Sequence, residues 1–391
     1  MKFVLAFVAG GLLTFAYAPF DQFWLAPLCF AALIYLWRDT TPGRAFRLGL
    51  AFGGASFLGG VHWVYVSIHD FGSASAALAI FLTLVLVAVL TVFVALTGWA
   101  AARWFTTDGP RAWLGVLPAL WVLTEWLRGW ILSGFGWLAA GYSQADSWLM
   151  GYAAIGGIHL MSWVVLLTAG GFVMLVSGPM RMRAIAAILI LCLWVGGYIA
   201  GVVRWTEPKT NLLTVSLVQG AVPQDLKWQR EQFLPTLDLY RELTQDSEGS
   251  RLIIWPEAAI PSLHEHVVGY LAEIESWAAA RDSDVMLGIL RTDPMGTAVQ
   301  NTLISLGDPP SVYVKRHLVP YGEYFPVPGF IRNWLRRMDL PYNDVTSGAA
   351  GQPPLDVAGE KIAVTICYEN VFGAEQLHYL PDATLLVNVS N

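Results

Sequence analysis

At 391 residues the chain is too long for one ordinary domain. Its hydrophobic content of 55% beside only 13% charged residues is far from the roughly 25% charged of soluble proteins. Three cysteines, Cys29, Cys192 and Cys367, are too few and too scattered for a disulfide framework or a zinc site. A formal net charge of −6, with no basic block and no aromatic RNA-binding motif, gives no ground for a nucleic-acid partner.

From Met1 to Arg204 the sequence reads as successive membrane spans, since a bilayer core takes roughly 20 apolar residues. The candidates are 3–18, 22–37, 48–68, 75–103, 112–130, 150–177 and 183–203, so a transmembrane domain of about seven helices is expected over 1–204. Lys2, the apolar run after it and Ala16-Tyr17-Ala18 mimic a secretory signal, but Pro19 follows directly and further spans come after. If the N-terminus is cytoplasmic, the loops on that side hold Lys2, then Arg38, Arg44 and Arg47, then Arg103 and Arg111, then Arg181 and Arg183. The opposite loops offer little beyond Arg128. The positive-inside bias supports that orientation, and an odd number of spans then places everything after Arg204 outside the cytoplasm.

Within the spans, Glu125 and Arg128 stand at helical i, i+3 spacing and can pair near a membrane end. His62-Trp63, the loop His69 to Gly72 and the stretch SGFGWLAAGYSQ (Ser133 to Gln144) fall near an outer boundary. Tryptophan at that level is usually an interfacial anchor, so Trp137 reads as an anchor first and a substrate contact second.

After Arg204 the texture is that of a soluble α/β domain, expected over 211–391. Strands are predicted at NLLTVSLVQG, RLIIW, VMLGIL, QNTLISL, SVYVKRHLV, KIAVTI and ATLLVNVS, with QNTLISL and SVYVKRHLV forming a hairpin across Gly307-Asp308-Pro309-Pro310. Helices are predicted over Asp225–Gln245, interrupted by Pro235, over His264–Ala280, and near Phe372–Tyr379. Alternating strands and helices argue a layered sandwich. Leu385 to Asn391 reads as a core strand with nothing after it to cover it, so the domain is expected to be truncated at its C-terminus.

Three strand exits carry chemistry. RLIIWPEAAIP ends a strand on Trp255, Pro256 and Glu257; SVYVKRHLVPYGEYFP carries Lys315 into a loop holding Glu323; KIAVTICYEN delivers Cys367, followed by Tyr368 and Glu369. A thiol with an ordinary pKa of about 8.5 needs a base before it can attack. His264, His266 and His378 fall in or beside helices, and His317, two residues beyond Lys315, is the only competing histidine. Glu257 is the expected base, because a carboxylate in a dry pocket can take a proton and later return it. Lys315 would then stabilise an oxyanion and favour the thiolate.

The chain resembles the apolipoprotein N-acyltransferases, the membrane members of the nitrilase (carbon-nitrogen hydrolase) superfamily. The resemblance rests on TFAYAPFDQFWLAPL, GGVHWVYVSIHDFG, WLRGWILSGFGWLAAGYSQ, VQGAVPQDLKW, WPEAAIP, YVKRHLVPYGEYFP and ICYEN, and so spans nearly the whole chain. It implies a polytopic helical membrane domain followed by a nitrilase-like αββα sandwich. Final strands and a last membrane helix would lie beyond Asn391. It implies Glu257, Lys315 and Cys367 as base, oxyanion stabiliser and nucleophile, with Glu323, Tyr368 and Glu369 in support and Trp228, Trp137 and Tyr321 as substrate contacts. The implied reaction passes an acyl chain from a phospholipid, typically phosphatidylethanolamine, through a Cys367 thioester to the α-amino group of an apolipoprotein's diacylglyceryl-cysteine. No cofactor is implied, and a monomer is expected. The alternative is a membrane-tethered amidase with water as acceptor, since hydrolase and transferase share the first half-reaction.

Overall fold

The computed structural model describes residues 1–72, 74–207, 212–296, 298–307, 310–320, 322–324 and 345–391. Tyr321, expected to contact substrate, falls outside them. The chain divides into two compact units, one of Met1–Asp70 with Ala74–Glu207, the other of Pro208–Asn391 with Phe71–Ser73.

The first unit is helical: α1 (Lys2–Leu13), α2 (Leu25–Trp37), α3 (Pro42–Val61), α4 (Ala76–Trp104), α5 (Leu117–Arg128), α6 (Ala153–Ser177) and α7 (Met180–Val202). Each expected span overlaps one of these helices. α3 ends at Val61, however, and the rest of the span drawn to residue 68 is a short helix, Trp63–Val66, and the start of a π-turn, Ser67–Phe71. Among the described residues three helices are long and apolar enough to cross a membrane: Ala76–Trp104, Trp148–Ser177 and Met180–Val202. Lys2–Ala16 and Leu25–Trp37 are shorter apolar helices. α3 and α4 pack so closely that a Cβ on Gly49 would come within 2.7 Å of the Ala95 Cα, the close approach that small residues permit between membrane helices. Large apolar side chains such as Ile80, Phe81, Leu84, Ile188 and Leu191 remain exposed on the outside of this bundle, where water would penalise them and lipid would not.

The second unit is built on two sheets. The larger has the order β1 (Val215–Leu217), β2 (Leu252–Ile254), β4 (Asp284–Thr292), β5 (Val299–Leu306), β6 (Val312–Val314), with β3 (Ile260–Leu263) also paired to β4. β1, β2 and β4 run parallel, and β4, β5 and β6 antiparallel, so the expected β5–β6 hairpin is present. The smaller sheet is β7 (Leu355–Val357), β8 (Glu360–Ile366) and β9 (Leu385–Val389), with β8 and β9 parallel. β3 and β7 were not expected. They are four and three residues long, too short to carry a readable alternation, and the β7–β8 turn depends on Ala358 and Gly359 both taking positive φ.

Helices α8 (Gln224–Lys227) and α9 (Arg230–Gln245) replace the single helix expected to break at Pro235. The break falls at Trp228 and Gln229 instead, and α9 runs through Pro235. Proline removes one hydrogen bond there, but Leu237 and Tyr240 anchor the same helix in the core. α10 (Val268–Ala279) completes that layer, packing Leu271, Ile274 and Ala278 against Ile253, Val285 and Leu287 of the larger sheet. On its other face Leu252, Ile254, Met286 and Leu303 meet Ile362, Val364, Ile366, Val387 and Val389 of the smaller sheet. Sheet therefore faces sheet, with helices outside the larger one, the sandwich architecture that the sequence suggests.

Candidate active site

Strand exits deliver the three predicted residues. β2 ends at Ile254 and Glu257 lies three residues on; β6 ends at Val314 and Lys315 is next; β8 ends at Ile366 and Cys367 is next. A strand fixes its last residue to within the register of its neighbours, so side chains just beyond it are held without being buried in the ladder.

The backbone of Glu257 is clamped onto β4. Gly288 donates to the Pro256 carbonyl and Ala259 donates to the Gly288 carbonyl. A Cβ at Gly288 would fall 2.6 Å from the Glu257 Cα, so only glycine lets this loop lie so close to the strand. The Glu257 side chain is buried, and its Oε1 accepts from the Lys315 Nζ at 3.0 Å and from the Asn301 Nδ2 at 2.7 Å. Among the described residues its Oε2 has no hydrogen-bond partner, which leaves that oxygen available to take a proton.

Lys315 is 1% exposed, and its backbone is held on both sides, donating to the Asn301 carbonyl and accepting from Gly348. Its ammonium bridges two carboxylates, Glu257 and Glu323, the latter at 2.9 and 3.0 Å. Burial disfavours the ammonium, but Glu323 and Glu257 outweigh it, and Lys315 is held above the ordinary lysine range. It is a fixed positive charge. Asn301 joins the two carboxylates by donating to both, at 2.7 Å to Glu257 and 2.9 Å to Glu323.

Cys367 sits on a strained turn, with φ of +55° in a non-glycine residue at the start of the 3₁₀ turn Cys367–Val371. The strain projects the side chain from the strand end, as in a nucleophile elbow. Glu369 holds this turn in place. Its Oε2 accepts from the Ile366 N–H at 2.7 Å, and its Oε1 accepts from the backbone N–H groups of Arg316 and His317 at 2.6 and 3.0 Å. The Tyr313 hydroxyl donates to the same carboxyl at 3.0 Å. One buried acid thereby ties the turn of Cys367 to the loop of Lys315. Tyr368 packs edge-on against Phe372, and the ring of His317 stacks on Phe372 beside Glu375.

As expected, Lys315 pulls the Cys367 thiol toward the thiolate, but it is not the largest influence on it. Burial, then the charge of Glu257, push the Cys367 thiol up, against the opposing pull of a hydrogen bond with Ser390 and of Lys315. The resting group is therefore a thiol, and its proton must leave as it attacks. A carboxylate with a free oxygen, a fixed ammonium and such a thiol are the parts required for covalent acyl transfer.

The two halves match separate family models. The apolipoprotein N-acyltransferase N-terminal domain matches residues 9–171, and the carbon-nitrogen hydrolase domain matches residues 214–391. The chain is 39% identical to the apolipoprotein N-acyltransferase of Methylococcus capsulatus over 393 residues, covering 100% of this chain and 78% of that protein. It is 40% identical to those of Nitrosomonas europaea, over 100% of this chain and 78% of that protein, and Chromobacterium violaceum, over 99% and 75%.

The chain belongs to the apolipoprotein N-acyltransferase family. It is therefore an acyltransferase and a membrane protein.

Of the other residues singled out from sequence, Glu323 joins the cluster directly and Glu369 acts on its backbone. Trp228 follows α8 and is 51% exposed; Trp137, in the helical unit, is 37% exposed and packs on Trp63 at 5.4 Å between ring centroids. Glu125 and Arg128 both turn toward the loop of Trp137: Glu125 accepts from the Ala140 N–H at 2.8 Å and Arg128 donates to the Trp137 carbonyl. Asn301, Tyr313, Ser390 and Asn388, whose Nδ2 donates to the Cys367 carbonyl at 3.3 Å, were not anticipated. A signal existed for Asn388: it is the one polar residue of the strand Leu385–Val389.

Proposed function

We propose that this acyltransferase moves an acyl chain from a phospholipid to the α-amino group of the N-terminal diacylglyceryl-cysteine of apolipoproteins, through a thioester on Cys367. Glu257 is the base, Lys315 the oxyanion stabiliser, and the observation that carries the assignment is the Lys315 ammonium set 3.0 Å from Glu257 beside a thiol that feels both charges. In the first half-reaction the Cys367 sulfur attacks the ester carbonyl while its proton passes to Glu257. The oxyanion forms against Lys315, the carbon–oxygen bond breaks, and Glu257 returns the proton to the departing lysophospholipid. In the second, the acceptor amine attacks the thioester carbonyl, gives a proton to Glu257, and the carbon–sulfur bond breaks to regenerate the thiol. Two half-reactions through one covalent intermediate imply ping-pong kinetics.

Phosphatidylethanolamine is the proposed donor, and Trp228, Trp137 and Tyr321 are proposed substrate contacts. Residues 1–204 form the proposed transmembrane domain of about seven helices and 211–391 the catalytic domain, acting as a monomer without a cofactor. Loop cations at Lys2, Arg38, Arg44, Arg47, Arg103, Arg111, Arg181 and Arg183 support an inner-membrane protein with its catalytic domain in the periplasm.

Intact-mass spectrometry after incubation with phospholipid, then with a diacylated lipopeptide, tests the reading. An acyl adduct that passes to the peptide amine is expected. Free fatty acid as the main product would instead establish hydrolysis, with water as acceptor.

A further inference from the structure

Lys227 closes α8 and is 3% exposed, although the next residue, Trp228, is open to its surroundings. An ammonium taken out of water must find oxygens to replace its hydration. Its Nζ lies 3.4 Å from the backbone carbonyl of Glu257 and 2.6 Å from Oδ1 of Asn391, whose own Nδ2 donates to Gln224. Both oxygens are neutral. Among the described residues no carboxylate oxygen comes within ion-pair distance of Lys227, and the charge it feels is that of Glu257.

A lysine buried for stability alone gains little from such partners, because a buried cation without a paired anion costs more than it returns. The cluster next to it supplies a reason for the charge. Glu257 and Glu323 share one ammonium, Lys315, so they leave an excess negative charge where the attacking sulfur and the oxyanion must develop more. Lys227 brings the compensating positive charge to the backbone of the base itself.

We infer that Lys227 is a positioning residue for the Glu257 base: it fixes the Glu257 carbonyl against the Asn391 side chain beyond β9 and balances the carboxylate cluster during acyl transfer. The inference rests on the reading of Glu257 and Cys367 as base and nucleophile.

Protonation gives it a signature. Burial lowers the Lys227 ammonium to about 8, with Glu257 opposing that shift. Glu257, from the β2 exit, is the charged group that faces it; Gln224 on α8 and Asn391 beyond β9 are neutral. Below that pH the side chain is charged and holds the base, and above it the charge is lost, so acylation should fall off on the alkaline side. An arginine at the same place stays charged throughout.

The test is the single-turnover rate of Cys367 acylation, read by intact mass for the whole protein in mixed micelles between roughly pH 6 and 10. Phosphatidylglycerol serves as donor because it has no amine to titrate. The wild-type rate is expected to fall above about 8 as Lys227 loses its proton. Lys227→Arg should displace that fall upward, and Lys227→Met should slow acylation at neutral pH about tenfold or more and abolish the fall. The same alkaline fall in either variant, at the wild-type rate, overturns the inference. Should both variants fail to fold, the wild-type profile decides, since a rate that does not fall near that pH also overturns it. An adduct persisting in Cys367→Ala would defeat the underlying assignment instead, whereas a Cys367-dependent adduct indifferent to Lys227 would defeat this inference alone.

Discussion

Glu125 in the helical unit and Glu257 in the sandwich are both buried, and the two are used differently. In the helical unit, Oε1 of Glu125 accepts from the Trp121 indole at 2.7 Å and from the Ala140 N–H at 2.8 Å. In the sandwich, Oε1 of Glu257 accepts from an ammonium and an amide, and the ammonium is shared with a second carboxylate. Neutral donors on rigid backbone and indole can only hold a carboxylate still, and here they fix the loop of Trp137. A shared ammonium and a nearby thiol give the other carboxylate somewhere to take a proton from. Burial of an acid is thus not evidence of chemistry by itself; the kind of partner is.

That contrast can be broken most severely at the nucleophile. Cys367→Ala should abolish the acyl adduct seen by intact mass, and Glu257→Gln should do the same while nearly preserving shape; a full adduct in either variant would erase the distinction drawn for the sandwich. Lys315→Met should slow acylation by roughly a hundred- to a thousandfold, the usual loss of one preorganised oxyanion partner, measured in single turnover. Retained activity would mean that Lys315 is as structural as the donors to Glu125.

Glu369→Gln puts an amide N–H against a donor it cannot satisfy in the ring formed by Ile366, Arg316, His317 and Tyr313. It is expected to cost about 1–3 kcal/mol in stability and to slow acylation as the Cys367 turn loosens. Thermal unfolding followed alongside activity would separate the two effects.

Thiol alkylation by iodoacetamide sharpens the electrostatic side. Glu257 raises the Cys367 thiol and Lys315 lowers it. Glu257→Gln should therefore shift the alkylation profile to lower pH, although it blocks acylation, and Lys315→Met should shift it to higher pH. Shifts of the opposite sign would show that the thiol does not sense these charges. The smallest effect is expected for Glu125→Gln, about 1 kcal/mol of stability with the alkylation profile unmoved, because no proton is exchanged at that carboxyl.

The sequence exposes the three strand ends well because apolar β-branched runs are local signals, and an acid, a lysine and a cysteine just beyond them stand out by contrast. Its reading of α8 and α9 was weaker. Pro235 was taken as the break, yet packing of Leu237 and Tyr240 carried the helix through, and the chain bent at Trp228 instead. The pull of Lys315 toward the thiolate is as expected, but burial and Glu257 act against it, and their weight depends on packing that sequence does not show.

Residue order alone pointed to the helical half, the sandwich half and the three side chains proposed to react, because length, periodicity and strand termination depend on near neighbours. Tertiary structure decided which carboxyl oxygen is free, that Asn301 bridges Glu257 and Glu323, that Glu369 ties two loops together and that Lys227 reaches the backbone of the base. Those contacts join residues from 22 to 53 positions apart, with Glu369 to Ile366 the local exception. They are set by strand register and turn geometry, which no local pattern encodes.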